Sequence, residues 1–268
     1  MKKKQLIIML IAAIAQTLIA QKIEMPDSIL KVKLDSVLAE AHILYKYEKA
    51  AWIATDLLLE KSEIITNFGS YFIYQENELI KAIIIDKKNQ FCVAEYIFEN
   101  DFSKPKQIIT EKRTLSNIEL NLIKVRNRIT ENLSDRKYEI SIPNGYNPNL
   151  IMLPWGEKFK LYMIMGTTQR DVIPFGNDYL FVCNKDGEIE TWTKFHSRLI
   201  PGYTKIAGAK VNELTHSHLH TTVLITATDI CTFMLYAPLY DIKSFSVYSP
   251  AISKYMKYTI VNNEISFY

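Results

Sequence analysis

The sequence predicts an α+β protein, with N-terminal helices on an antiparallel β-meander and a C-terminal mixed-sheet lobe with flanking helices. Apolar residues recur at helical spacing in residues 26–60 and 115–133. Stretches rich in aromatic and β-branched residues recur from residue 70 onward. Of 268 residues, 48% are hydrophobic and 23% charged, values typical of globular proteins that exclude disordered, collagen-like and coiled-coil chains. Only 8 glycines are present, so a Gly-rich phosphate-binding loop is not expected.

The N-terminus has the pattern of a secretory signal peptide. Three lysines follow Met1, and an apolar run over residues 6–14 leads to small residues. This predicts a signal peptide over residues 1–20, cleaved after Ala15 or Ala20, and an exported, periplasmic or extracellular protein. The alternative is an uncleaved anchor, but the apolar run is shorter than the roughly 20 residues of a membrane span. No cysteine stands at either cleavage point, which disfavours a lipoprotein.

The charge balance excludes one class of partner. The formal net charge is +3, and removal of the three N-terminal lysines brings it to zero. A neutral chain lacks the positive field that nucleic-acid binding requires. We therefore expect no nucleic-acid partner, and no membrane span once the signal peptide is cleaved. The sequence does not indicate the oligomeric state.

The N-terminal lobe is expected over residues 21–105. A helical start signal at Pro26-Asp27-Ser28 predicts a helix over 26–60, with a second helical stretch over 48–61. Strand-like segments at 70–74, 79–85 and 91–98 predict the β-meander. His42 is interpreted as a packing or surface residue of the helix.

The C-terminal lobe is expected over residues 106–268. Ser116 and Glu119 form a capping-box pattern that starts a helix over 115–133. A turn-rich connection over 142–148 follows, and residues 173–178 are predicted to form a loop. Strands are predicted at 159–165, 179–183, 188–195 and 211–218, with a hairpin turn at 184–187 that ends in Gly187.

The three cysteines are Cys92, Cys183 and Cys231, and an odd number cannot pair completely. Their apolar neighbours favour buried free thiols. One disulfide with a spare thiol is the alternative in an exported protein.

Four of the five histidines lie between residues 196 and 220, and they are the main candidates for chemistry. On a strand, His216 and His218 share one face and are predicted to converge on a metal ion, with His220 as a further candidate. Imidazole suits Zn²⁺, and Asp229 is the predicted third ligand. His196 is interpreted as a residue that contacts the metal ligands and does not itself bind the ion.

The spacing His216-Ser217-His218, seven residues, Thr226-x-x-Asp229 resembles the core of the JAMM/MPN metalloprotease family. The resemblance implies a zinc ion held by His216, His218 and Asp229, with Thr226 in place of the family's serine. It also implies a glutamate on an upstream strand as general base, and Glu157 is the residue that fits this order. Glu188, Glu190 and Glu213 remain competitors for that role.

The expected function is therefore zinc-dependent hydrolysis of amide or isopeptide bonds by an exported protein. A peptide or a cell-wall cross-link is the expected substrate, on the evidence of the export signal alone. The alternative is a non-catalytic secreted or envelope-associated binding protein, in which the histidine cluster is structural or vestigial. Thr226 and Asp229 also fit a capping box that starts a helix, and this role is compatible with either function.

Overall fold

The computed structural model describes residues 22–268 and shows an α+β fold. The predicted signal peptide lies outside these residues. Helix α1 (Asp27–Leu59) is one continuous helix, where the sequence suggested two stretches. Its inward face carries buried apolar residues at helical spacing, such as Leu30 and Leu34, four residues apart, and Ala41 and Leu44, three residues apart. A single-turn helix, α2 (Ser62–Ile65), follows.

The first sheet is the predicted antiparallel meander. It contains β1 (Phe68–Glu76), β2 (Leu79–Asp86), β3 (Phe91–Phe98) and β4 (Gln107–Ile109) in that order, and β5 (Arg113–Thr114) also pairs with β3. Both faces of this sheet are covered. Ile84 on β2 belongs to the same apolar cluster as α1, whereas its neighbour Ile83 belongs to a second cluster with α3 (Asn117–Asn132).

The second sheet is antiparallel and follows α3 and a 3₁₀ turn (Arg136–Tyr138). Its strands are β6 (Tyr146–Trp155), β7 (Lys158–Thr167), β9 (Tyr179–Cys183) and β10 (Ile189–Lys194), in the order β10-β9-β7-β6. The predicted hairpin turn between β9 and β10 is confirmed, with Gly187 at a φ of 83°.

Two short strand pairs lie next to this sheet. Strand β8 (Val172–Gly176) pairs with β11 (Leu199–Tyr203), and β12 (Lys205–Ile206) pairs with β13 (Ala209–Lys210). The prediction of a loop over 173–178 was therefore wrong for residues 173–176. Pro174 lies opposite Pro201, a position in which neither residue has an N–H to donate, so the pair tolerates residues that normally break strands.

The last sheet is the predicted mixed sheet. Strand β14 (Glu213–Ser217) runs parallel to β15 (Ser244–Ser249), and β16 (Lys254–Thr259) and β17 (Glu264–Phe267) continue it in antiparallel fashion. Parallel neighbours need a crossover connection, and here it contains α4 (Ala227–Tyr236) and a 3₁₀ turn (Ala237–Tyr240). This unit brings the end of β14 close to the start of α4.

The main apolar cluster includes residues from both sides of the predicted boundary at residue 105. Leu44 of α1, Ile84 of β2, Ile164 of β7, Phe233 of α4 and Phe245 of β15 all belong to it. Helix α1 therefore packs against α4 as well as against the first sheet.

All three cysteines are buried free thiols, as the first of the two interpretations predicted. Burial raises the pKa of Cys92 to about 11 and that of Cys183 to about 12, so these thiols are poor nucleophiles at neutral pH. Among residues 22–268, no helix has both the length and the hydropathy needed to cross a membrane.

Candidate metal centre

Two of the candidate ligands come from the end of β14. The side chains of His216 and His218 lie on the same face of the chain, since successive residues of a strand alternate. His216 pairs with Val247 of the neighbouring strand, and the amide of His218 donates to the carbonyl oxygen of Tyr248 at 2.9 Å. Their Nε2 atoms are 3.4 Å apart.

The third candidate ligand is Asp229, in the first turn of α4. Thr226 is the N-cap of this helix, and its Oγ1 accepts a hydrogen bond from the amide of Asp229 at 3.1 Å. The Oδ2 of Asp229 in turn accepts from the amide of Thr226 at 3.0 Å and from its hydroxyl at 2.6 Å. The capping box predicted from the sequence therefore fixes the orientation of this carboxylate. The Oδ1 atom is left buried without a hydrogen-bond partner.

His196 is the fourth member, and the sequence placed it only in a supporting role. It follows β10, and its Nε2 lies 2.9 Å from the Nε2 of His218 and 3.5 Å from the Oδ1 of Asp229. Its Nδ1 lies 2.6 Å from the Oδ1 of Asp178. A carboxylate only accepts hydrogen bonds, so Nδ1 carries a proton, and in the neutral ring the Nε2 lone pair then faces the other three residues.

The four residues together form a compact, buried group. One ligand atom from each of His196, His216, His218 and Asp229 lies within 4.8 Å of the others. The four side chains are between 0% and 6% exposed, and His216 is the most exposed of them. This group could hold a metal ion.

The separations between the ligand atoms match a tetrahedral site. Zinc–nitrogen bonds of about 2.0–2.1 Å place neighbouring ligand atoms of a tetrahedron about 3.3–3.4 Å apart. The Nε2 of His216 lies 3.4 Å from the Oδ1 of Asp229, and the Nε2 of His218 lies 3.1 Å from its Oδ2. Of the six separations among the three Nε2 atoms and the Oδ1 of Asp229, four lie at 2.9–3.5 Å, close to the tetrahedral value.

The buried carboxylate of Asp229 needs a positively charged partner. Burial alone would raise the pKa of Asp229, but the imidazoles of His196 and His216 hold it well below its usual range. Burial alone would lower the pKa of His196, but Asp178 and Asp229 raise it to about 9. A buried carboxylate needs a positive partner, and either a protonated imidazole or a metal ion can supply that charge.

Comparisons with known proteins give no relative for this chain. No family model matches the sequence, and neither the curated proteins nor the solved structures give a match. The resemblance to the JAMM/MPN core therefore depends on the short motif alone, and the function must be argued from the geometry of the site.

Two phenylalanine rings lie next to His216. The ring centroid of Phe175 lies 5.2 Å from that of His216 and 5.2 Å from that of Phe245. Such an apolar wall lowers the local dielectric and limits the access of solvent to the ligands.

Glu157, the sequence-predicted general base, does not join the group. It is exposed in the turn between β6 and β7. Glu157 lies six positions, about 20 Å of extended chain, before Met163, which lies opposite Tyr179 and therefore close to Asp178. The structure thus places Glu157 in the turn before β7, whereas Asp178, which contacts His196, lies beside the middle of that strand.

The competing glutamates are also held elsewhere. Glu188 pairs with Arg128 at 2.7 Å and Glu190 with Lys158 at 2.6 Å. Glu213 accepts hydrogen bonds from Ser246 and Lys257, each at 2.8 Å. None of the three belongs to the buried group found among residues 22–268.

The two remaining histidines are not part of the group either. His42 contacts the Oδ1 of Asn263 at 2.7 Å on the surface, in agreement with its interpretation as a packing or surface residue. His220 follows the two ligand histidines but is not among the four residues.

Proposed function

We propose that the protein binds one Zn²⁺ ion, or a similar divalent transition-metal ion, through His196, His216, His218 and Asp229. The observation that carries this proposal is the convergence of three imidazole nitrogens and one unpartnered carboxylate oxygen in a buried site. A set of imidazoles with one carboxylate suits zinc and its neighbours rather than Mg²⁺ or Ca²⁺, which prefer oxygen ligands.

The geometry favours a closed site with four protein ligands. Structural zinc sites are closed, whereas catalytic sites keep one position for water. A base that acts through a metal-bound water would have its nitrogen about 4 Å from the ion. The Nε2 of His196 lies 2.9 Å from that of His218 and 3.5 Å from the Oδ1 of Asp229, so it lies about as close to these two ligand atoms as the Nε2 of His216 does.

A closed site gives the ion a structural role. The ligands come from the segment after β10, from the end of β14 and from the first turn of α4. One ion would cross-link these three segments and hold α4 against the sheet. Metal binding would therefore contribute directly to the free energy of folding.

The experiment is elemental analysis of the purified full chain, with His218→Ala and His42→Ala as a matched pair of variants. We expect about one zinc ion per chain in the wild type and in His42→Ala, because His42 lies outside the site. His218→Ala should retain little metal, because the Nε2 of His218 faces two other ligands. An equally low metal content in all three proteins would refute the proposal.

Zinc-dependent hydrolysis of amide or isopeptide bonds is the second candidate. The observation that favours it is that His216, His218 and Asp229, which carry the resemblance to the JAMM/MPN motif, converge with His196 in one buried group. Water would need a coordination position, so His196 would have to leave the ion and could then accept the proton of that water in place of Glu157. Export, as proposed from residues 1–20, would give access to peptide or cell-wall substrates.

One contact weighs against catalysis by Thr226. Its hydroxyl donates to the Oδ2 of Asp229 at 2.6 Å, and it would have to give up this bond to stabilise an oxyanion. A non-catalytic exported binding protein with a structural ion therefore fits the contacts of the site better than a hydrolase does.

A peptidase assay separates the two candidates, because Co²⁺ would be four-coordinate both in a closed site and in a site with three protein ligands and a water. For the closed site we expect no hydrolysis by the zinc form. Hydrolysis of peptides by the wild type, with loss of activity in His196→Ala, would instead support the hydrolase.

A further inference from the structure

Asp178 is a buried carboxylate that lies beside the metal centre without facing it. It follows β8, only 2% of the residue is exposed, and both of its oxygens are occupied. The Oδ1 accepts a hydrogen bond from the Nδ1 of His196 at 2.6 Å, and the Oδ2 accepts one from the hydroxyl of Thr228. Asp178 is not among the four residues whose ligand atoms converge.

The two contacts of Asp178 reach two different parts of the site. His196 is one of the four ligands, and Thr228 directly precedes Asp229, another ligand. A single carboxylate thus connects the segment after β10 with the first turn of α4. Among residues 22–268, His196 is the residue with which Asp178 forms an ion pair.

The backbone around Asp178 is held in place independently of any ion. Gly176 has a φ of 76°, and a Cβ atom there would lie 2.5 Å from the carbonyl oxygen of Arg198, so the close approach of the two segments requires glycine. The side chain of Asn177 donates to the carbonyl oxygen of Ser141 at 2.7 Å. The carbonyl oxygen of Asp178 accepts from the amide of Phe195 at 3.0 Å.

We propose that Asp178 is the positioning residue of the metal centre: it keeps the proton of His196 on Nδ1, aims Nε2 at the ion and ties α4 to the same point. This inference rests on the proposed binding of a metal ion. Metal-bound histidines commonly donate their second N–H to a carboxylate, and loss of such a partner typically weakens metal binding by about 10–100-fold. A carboxylate that also holds a second ligand-bearing element should lie in the upper part of that range.

The test is a Co²⁺ titration of the full chain, read from the visible spectrum, for the wild type and for Asp178→Ala and Asp178→Asn. We expect Asp178→Ala to weaken binding by about 10–100-fold and to alter the spectrum of the saturated protein, because the His196 ring loses its orientation. Asp178→Asn should restore most of the affinity. Its amide oxygen can still accept from Nδ1, and its NH₂ group can donate to Thr228.

Two further variants control for general damage to the fold. Asp86→Asn changes another buried aspartate, which accepts two backbone hydrogen bonds and is distant in sequence from the site. This variant should leave the cobalt affinity and spectrum unchanged. Thr228→Val removes one of the two contacts of Asp178 while keeping a branched side chain, so it should weaken binding less than Asp178→Ala does. This variant also tests the inference if Asp178→Ala does not fold.

The outcomes distinguish a failure of metal binding from a failure of the positioning role of Asp178. Absence of a cobalt spectrum in the wild type would overturn metal binding itself, and the role of Asp178 with it. A wild type that binds cobalt, with unchanged affinity and spectrum in Asp178→Ala, would overturn the positioning role alone. If Asp178→Ala is unfolded, unchanged affinity and spectrum in Thr228→Val would overturn it.

Discussion

At the scale of single residues, Glu48 is the clearest case of a buried charge outside the metal centre. It lies on α1 and is 3% exposed. Its Oε1 accepts hydrogen bonds from the Nε1 of Trp52 at 3.0 Å and from the Nδ2 of Asn149 at 2.5 Å. Burial raises its pKa from 4.5 to about 7, although these two donors act in the opposite direction. The folded protein therefore prefers this carboxyl in its neutral form.

This shift predicts how stability depends on pH. A carboxyl whose pKa is higher in the folded state costs nothing below about pH 4.5, and its cost grows until the pH passes about 7. Glu48→Gln should therefore gain stability relative to the wild type as the pH rises from 5 to 8, by about 3 kcal/mol at most. Glutamine suits this test because both hydrogen bonds are made to a single oxygen.

Chemical denaturation of both proteins at pH 5 and pH 8 measures this effect. Asp35→Asn, an exposed position on the same helix, should show no pH-dependent difference from the wild type. The groups whose charge faces Glu48 include Tyr71, Cys231 and Tyr236, and the pKa of each is raised above its ordinary value. They therefore do not ionise in this pH window. A difference between Glu48→Gln and the wild type that stays constant with pH would contradict the prediction.

At the scale of elements, α3 and α4 both begin with a capping box, but the carboxylates of the two capping boxes have different further contacts. Ser116 and Glu119 form the capping box of α3, and Thr226 and Asp229 form that of α4. The carboxylate of Glu119 also pairs with Arg113, whereas that of Asp229 faces imidazoles. The cap of α4 therefore orients a residue of the candidate metal centre as well as starting the helix.

A matched pair of variants distinguishes the effect of a cap on its helix from its effect on metal binding. Ser116→Ala should cost about 1 kcal/mol, and the same amount in the presence of zinc or of a chelator. Thr226→Ala should cost a similar amount with a chelator and more with zinc, because Asp229 loses the hydroxyl that orients it. Thermal unfolding under both conditions gives the comparison, and equal behaviour of the two variants would contradict a link between the cap and the metal.

Local signals predicted the elements whose chemistry is local. The capping box of α3 and the hairpin turn at Gly187 depend on neighbouring residues, and both are confirmed. Strand β6 was missed because Pro148 and Pro154 interrupt its pattern. It lies at the edge of its sheet, where a residue without an N–H is tolerated. Strands β15 to β17 were not assigned either.

The same distinction, between residues close together in sequence and residues brought together by long-range contacts, applies to the candidate site. His216, His218 and Asp229 lie within fourteen residues, so their spacing was sufficient to predict that they meet. His196 and Asp178 reach the site through the pairing of β8 with β11 and of β9 with β10, which are contacts between distant segments. The concentration of histidines between 196 and 220 was the one available signal for His196. No local pattern indicated Asp178.

At the scale of the whole molecule, the metal centre lies at the edge of the main apolar cluster. Helix α4 carries Asp229 in its first turn, and Ile230 and Phe233, on the same helix, are buried in the cluster that also contains α1 and the first sheet. Loss of the ion should therefore weaken the packing of the core and not only the loops around the site. One cooperative transition is expected, since both predicted lobes share this core.

Removal of the metal should accordingly lower the melting temperature of the whole chain. An ion that is present at about 1,000 times its dissociation constant stabilises the folded state by about 4 kcal/mol. For a chain of this size that free energy corresponds to a change in melting temperature of about 10 °C. Calorimetry with zinc and with a chelator should show this difference in the wild type and in His42→Ala but not in His218→Ala, because only the last variant lacks a ligand. A melting temperature that does not depend on zinc would argue against a structural ion. Two separate transitions, only one of them sensitive to zinc, would show instead that the lobes on either side of residue 105 unfold independently despite their shared core.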